Sequence, residues 1–234
     1  HVAKADLIER INADCLAGFD PNLPLIGFAR RMTGYKRANL IFSDLERLKN
    51  IAKKFGGLQL VFSGRAHPRD TEGQALLHQI QTIAAMGDSH LRVAVLANYS
   101  MRLGRMLTGG VDIWLNNPVR PLEASGTSGM KASFQGVPNL SIPDGWWVEG
   151  CDHGVNGWAF GEGVDLQTGQ WPEPPARNDW ADAESLYGIL EETVMPLLTA
   201  PKSASLLRVR RGGIASAAQF ASRRMVQDYV EKIY

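Results

Sequence analysis

Leu58-Gln59-Leu60-Val61-Phe62-Ser63, then an amphipathic stretch from Thr71 to Ala85, then Leu91-Arg92-Val93-Ala94-Val95-Leu96-Ala97: residues 58–97 decide the fold. Each flanking run has strand length and is rich in Val and Leu, while the stretch between them has the length and spacing of a helix. The runs are apolar almost throughout and do not alternate. That pattern marks strands buried on both faces, as in a parallel sheet covered by helices. The same rhythm extends outward in both directions. Leu23 to Ala29 is followed by an amphipathic stretch from Tyr35 to Ala52, and Met101 to Leu107 follows Leu91 to Ala97. Val111 to Leu115 then precedes Met130 to Gln135. Repeated βαβ units of this kind predict an α/β, doubly wound, Rossmann-like parallel sheet.

The rest of the chain frames that core. Leu7, Ile8 and Ile11 stand at helical spacing, and Gly18 followed by Pro21 is expected to stop the helix. Asp144 to Pro175, rich in Gly, Trp, Pro and Asp, reads as long loops with a hairpin, over which Trp146, Trp147, Trp158 and Trp171 pack. Leu186, Ile189, Leu190 and Val194 predict a helix from Ala181 to Leu198. Two further helices are expected after Pro201, the last from Ser222 to Tyr234. The organisation is one lobe, 1–234: a leading helix (1–20), an α/β core with long loops (21–180) and closing helices (181–234).

A chain of 234 residues can bury a large core, and 25 basic against 24 acidic residues leave a net charge of +1 without runs of either sign. That balance argues against a nucleic-acid or membrane-surface protein. Cys15 and Cys151 are too few for a disulfide framework and lack zinc spacing, so a reducing cytoplasm is expected. No apolar stretch approaches the ~18 residues of a membrane span. Cys151, Asp152 and His153 are adjacent, but neighbouring residues point apart and a fourth ligand is missing, so no metal site is expected. The chain begins at His1 and reads as a piece of a longer protein.

In a doubly wound sheet ligands bind outside the carboxyl ends of the strands. Arg30-Arg31 through Lys36, Gly64-Arg65, Asn98-Tyr99 and Ser125 through Lys131 all fall at the ends of predicted strands and are expected to share one cleft. The most telling of these is Glu123-Ala124-Ser125-Gly126-Thr127-Ser128-Gly129-Met130-Lys131. Two glycines and several small residues bare backbone N–H groups just before a helical segment, an arrangement suited to a phosphate or carboxylate. Lys131, one turn in, reaches such a ligand as a cation or, once deprotonated, as a Schiff-base amine.

The stretch Arg120-Pro121-Leu122-Glu123-Ala124-Ser125-Gly126-Thr127-Ser128-Gly129-Met130-Lys131-Ala132 resembles the pyridoxal-phosphate site of the α-glucan (glycogen, starch, maltodextrin) phosphorylases, particularly the short bacterial branch. Gly27-Phe28-Ala29-Arg30-Arg31-Met32-Thr33-Gly34-Tyr35-Lys36-Arg37 resembles the family's R-R-x-x-x-Y-K-R turn. Ser63 to Pro68, Ala97-Asn98-Tyr99, Gly110 to Asn116, Ser141 to Trp147 and Asn156 to Ala159 follow in the family's order, so the resemblance covers nearly the whole chain. It implies the C-terminal catalytic lobe of a two-lobed glycosyltransferase of GT-B type. It further implies pyridoxal 5'-phosphate on Lys131 as an aldimine, with Thr127, Ser128 and Tyr99 at the cofactor. Arg31 and Lys36 are implied for substrate phosphate, and Glu123, Ser125 and Gly126 for glucose hydroxyls. The implied reaction is phosphorolysis of an α-1,4-glucan by inorganic phosphate to α-glucose 1-phosphate. The N-terminal lobe of the same subunit is the implied partner, and a homodimer is compatible. The fragment alone is expected to be inactive, with its closing helices left partly apolar where the other lobe would cover them.

One departure stands out: Tyr99 is followed by Ser100, where many members of that family place an arginine, and Arg102 comes two residues later. Two rival readings are a nucleotide-sugar glucan synthase lobe and a non-catalytic glucan-binding module. Synthases of this architecture commonly carry a second Glu eight residues after the first, whereas the position eight after Glu123 is Lys131. A cation there suits a phosphate or an aldimine better than ribose hydroxyls.

Overall fold

The computed structural model describes residues 2–171, 177–200 and 203–234. Six strands form one parallel sheet: β1 (Leu25–Ala29), β2 (Leu58–Ser63), β3 (Leu91–Leu96), β4 (Ile113–Asn116), β5 (Asn139–Ser141) and β6 (Gly157–Ala159), in the spatial order β3-β2-β1-β4-β5-β6. Every neighbouring pair is parallel, with β1 in register against β2 (Ile26 beside Leu60) on one side and β4 (Ile26 beside Ile113) on the other. The chain winds outward from β1 to β3, then crosses back to β4 and winds the other way. The point where the order reverses therefore lies between β1 and β4.

Both faces of the sheet are covered. Strand residues alternate between two apolar clusters: Ile26, Phe28, Leu60, Phe62, Ile113 and Leu115 enter one, while Leu25, Ala29, Val61, Ala94, Leu96 and Trp114 enter the other. The first cluster is closed by α2 (Leu45–Lys54), α3 (Thr71–Met86) and α7 (Asp179–Ile189). The second is closed by α1 (Val2–Cys15), α4 (Met101–Gly110) and α5 (Thr127–Phe134). Side-chain oxygens start these helices where the sequence offers them: Asp44 accepts from Arg47 N, Asp70 from Gly73 N and Ser100 from Leu103 N. The remaining helices are α6 (Trp146–Gly150), α8 (Met195–Thr199), α9 (Ala204–Ala217) and α10 (Ser222–Lys232), with a π-helical turn at Leu190–Val194 between α7 and α8.

β2, α3, β3 and α4 lie where the periodicity puts them. The helix α1 ends at Cys15, earlier than Gly18 and Pro21 suggest, because Leu16 takes a left-handed conformation (φ 50°). The stretch from Tyr35 to Ala52 is not one helix. A 3-10 turn at Gly34–Lys36 is broken by Arg37 (φ 45°), a second turn covers Leu40–Phe42, and α2 begins only after Asp44. The break has a tertiary cause, since Arg37 is pulled into the loop after β4. In the tryptophan-rich region, among the described residues, β6 joins the sheet in parallel and no hairpin forms; Pro172–Pro175 of that prediction lie outside the described residues. Trp147 and Trp158 are core residues, each 1% exposed, and are not a cover over loops. The expected helix from Ala181 to Leu198 corresponds to α7, the π turn and α8 in succession. Two helices follow, as anticipated. α10 has no buried residue and exposes Met225, Val226, Tyr229 and Val230, with Ile233 exposed just after it.

Candidate functional site

The loops after β1 and β4 meet at the reversal point. The first carries Arg30, Arg31 and Lys36; the second carries Asn117 to Gly126 and runs into α5. Charges drawn from the two loops converge on Glu123. Its Oε2 lies 2.7 Å from Arg30 Nη2 and 2.8 Å from Lys36 Nζ, and all three side chains are at most 10% exposed. A carboxylate this buried is tolerable only because it is doubly paired, and removing either cation would leave charge stranded in a poorly solvated place. Lys36 Nζ also sits 4.7 Å from the centroid of the Tyr35 ring. Arg31 is exposed and makes no ion pair among the described residues, so it stands at the rim of the same loop.

A third loop, after β5, supports Glu123 from behind. Asp144 Oδ2 accepts from Glu123 N at 2.9 Å, Asp144 Oδ1 accepts from Gly145 N at 2.8 Å, and Ser125 O accepts from Trp146 N at 2.8 Å. Burial pushes the Asp144 carboxyl above its ordinary range; the two N–H donors work against that and the Glu123 charge adds to it. Arg30 and Lys36 thus meet the one Glu123 carboxylate from the loop after β1, and the exposed Arg31 belongs to the same loop. Cations gathered on one loop suit an incoming anion.

The turn into α5 is shaped for close approach. Gly126, the residue before the helix, is left-handed (φ 87°), a conformation that costs other residues. A Cβ on Gly129 would lie 2.6 Å from Asn139 Oδ1 and 2.8 Å from Trp146 Nε1, so the first turn can sit only this deep with glycine there. Thr127 is exposed, while Ser128 Oγ is buried without a hydrogen-bond partner among the described residues. Lys131 is exposed and its amine makes no ion pair among them. An orphaned hydroxyl at a helix N-terminus and an amine one turn on without an ion pair fit an anionic cofactor with a carbonyl for the lysine.

The expected set is therefore brought together in part. Lys36 meets Glu123 directly, Ser125 and Gly126 follow Glu123 in the same loop, and Thr127, Ser128 and Lys131 stand on the adjoining helix. Tyr99 is 41% exposed and lies against Gly104 of α4. Arg102 lines a groove of about 720 Å³ with Asp6, Glu9 and Arg10 of α1, away from Glu123. His153 uses both ring nitrogens structurally: Nδ1 accepts from Ala159 N and Nε2 donates to Leu166 O, which fixes the neutral tautomer; burial, the leading cause, holds its pKa below the usual value. Arg30 and Asp144 received no role in the sequence reading. The available signal was position, the first polar residues after a strand, but only tertiary pairing distinguishes Arg30 from Arg31.

Comparison with known proteins adds an independent line. The family model described as carbohydrate phosphorylase matches residues 1–167. The chain is 43% identical over 221 residues to a maltodextrin phosphorylase of Thermococcus litoralis, covering 94% of this chain and 26% of that protein. It is 44% identical over 221 residues to a glycogen phosphorylase of Aquifex aeolicus, covering 92% and 30%. Against a glycogen phosphorylase of Mycobacterium tuberculosis it is 39% identical over 222 residues, covering 92% and 25%. It spans about a quarter to three tenths of the length of these relatives. The chain belongs to the carbohydrate phosphorylase family.

Proposed function

We propose that this member of the carbohydrate phosphorylase family is the cofactor- and phosphate-binding lobe of an α-1,4-glucan phosphorylase, which releases α-glucose 1-phosphate from glucan ends with inorganic phosphate. The observation that carries the reading is the Glu123 carboxylate bridged by Arg30 and Lys36 beside the Gly126 turn that opens α5. Lys131 Nζ would hold pyridoxal 5'-phosphate, with Thr127 and Ser128 at its phosphate and Tyr99 at the rim. Bound there, the group supplies a phosphate that can give and take a proton beside the substrate phosphate.

The chain's own residues do the rest. Arg31 and Lys36 bind inorganic phosphate, and their charge makes it bearable to place one polyanion beside another, which otherwise costs several kcal/mol. Glu123, Ser125 and Gly126 face the glucose hydroxyls. Asp144 holds Glu123 by its backbone, while Arg30 and Lys36 hold its carboxylate. The glucan, the N-terminal lobe of the same subunit and two-lobed closure against water belong to the same reading, and the two cysteines, neither in a disulfide, accord with a reducing cytoplasm. No helix among the described residues is long and apolar enough to cross a membrane.

The test is direct. The full-length protein, supplied with maltodextrin and inorganic phosphate, should release glucose 1-phosphate; a nucleotide-sugar requirement or no turnover rejects the reading. Borohydride reduction followed by peptide mapping should place a phosphopyridoxyl group on Lys131, and a label elsewhere rejects that assignment. The isolated 234 residues should turn over negligibly.

A further inference from the structure

Arg37 lies beside Lys36 in sequence but sends its guanidinium elsewhere. It is 2% exposed and holds a left-handed backbone (φ 45°) without being glycine, a strained state that persists only where surrounding bonds over-determine it. Those bonds are present. Nε donates to Asn117 O at 2.9 Å and Nη2 to Pro118 O at 2.7 Å, while Nη1 meets Asp179 Oδ1 at 2.9 Å and Asp182 Oδ2 at 2.7 Å. In return Asn117 Nδ2 donates to Arg37 O, and Val119 N donates to Tyr35 O at 2.7 Å. The residues on either side of Lys36 are thus each stitched to 117–119, across the point where the sheet order reverses. Lys36 between them is delivered to Glu123, which lies four residues beyond Val119.

Resting on the function proposed above, we propose that Arg37 is a positioning residue for phosphate recognition: it locks the Lys36 loop to the loop after β4 and to α7, and so sets where the Lys36 ammonium stands. A buried, fully bonded guanidinium suits this task because its planar fork reaches two carbonyls and two carboxylates at once. A lysine in its place has one nitrogen and cannot span them. The effect should fall mainly on phosphate, because Arg37 fixes the residues on either side of Lys36, whereas the Glu123–Gly126 segment proposed for glucose is also held by Asp144 and Trp146.

The experiment uses the full-length protein, with inorganic phosphate binding measured calorimetrically and the KM values for phosphate and maltodextrin measured separately. Arg37→Lys should weaken phosphate in both assays by roughly tenfold or more, while the maltodextrin KM stays within about twofold. Tyr187→Phe is the stability control. Tyr187 Oη accepts from Asp44 N and donates to Ile41 O, pinning α7 to the same loop without touching the neighbours of Lys36. It should lower Tm yet leave phosphate affinity unchanged. Should Arg37→Lys fail to fold, Asp182→Asn retains the guanidinium, removes one charge facing it and should weaken phosphate roughly threefold. Unchanged phosphate affinity in these variants, equal shifts for phosphate and maltodextrin, or phosphate losses in Tyr187→Phe that track Tm would each overturn the proposal. A wild-type protein that binds phosphate but releases no glucose 1-phosphate rejects the reaction alone, and the binding comparison still decides Arg37. A wild-type protein that binds no phosphate rejects both.

Discussion

The two loops that meet at the sheet's reversal point are built on opposite terms. In the loop after β1, three of the four cations are satisfied by the protein itself: Arg30 and Lys36 share Glu123, and Arg37 places its guanidinium on two carbonyls and two carboxylates, while Arg31 stays exposed. Across the cleft, the turn into α5 leaves its groups uncommitted, with Ser128 Oγ orphaned, Thr127 exposed and Lys131 unpaired among the described residues. The first loop is held largely by folding; in the function proposed above, the second is completed by a ligand. The difference teaches which substitutions will register as lost stability and which only as lost function, because removing a group that folding does not use costs the fold little.

The sharpest break of that comparison is Lys131→Ala in the full-length protein. It should abolish phosphorolysis by roughly a thousandfold or more, the scale of removing a group central to the chemistry, while stability changes by no more than about 0.5 kcal/mol. A large loss of Tm with retained activity would reverse the assignment of the two sides. Lys36→Ala comes next: activity should fall by about two orders of magnitude, and unlike Lys131→Ala it should also destabilise, since Glu123 keeps one partner of two. Arg31→Ala should approach the same loss of activity without the loss of stability, because Arg31 is exposed; near-normal rates would remove it from the phosphate site.

Asp144→Asn probes the support behind Glu123. Both carboxylate oxygens accept backbone N–H bonds, and an amide turns one acceptor into a donor facing a donor, at a cost of about 1–3 kcal/mol read by denaturant titration. The pH dependence has a definite sign. The carboxyl titrates above its ordinary 3.8 in the fold, so the proton favours the folded state, and that stabilisation is lost as pH rises through the raised pKa. The asparagine variant should lack this step. Ser128→Ala gives the smallest effect: without ligand it should be neutral or stabilising by up to about 1 kcal/mol, since an unsatisfied buried hydroxyl disappears, while cofactor retention weakens. Destabilisation of the ligand-free protein would mean that Ser128 serves the fold.

Much of this was legible in order. The runs Leu58–Ser63 and Leu91–Leu96 declare themselves as doubly buried parallel strands because they are apolar almost throughout and do not alternate, and α3 follows from its cap and periodicity. The Glu123–Lys131 motif could be placed at a strand end for the same reason. The stretch after Tyr35 misled, since amphipathic spacing cannot reveal that Arg37 leaves the helix to pair with residues about 80 and 140 positions away. The tryptophans misled similarly: a Gly- and Pro-rich stretch reads as loop, yet three of its residues complete the sheet as β6.

By itself, then, the sequence determined the layered α/β plan, the strand-end location of the motifs and the residue types able to hold anions, because these rest on local periodicity and on hydrophobic burial that each segment declares alone. Tertiary structure decided that Arg30 rather than Arg31 shares Glu123 with Lys36, that Asp144 stands behind it and that Arg37 clamps the loops. Those choices depend on distances of a few ångströms between segments far apart in the chain, and the strength of a buried charge pair is set by that separation and by what excludes water around it.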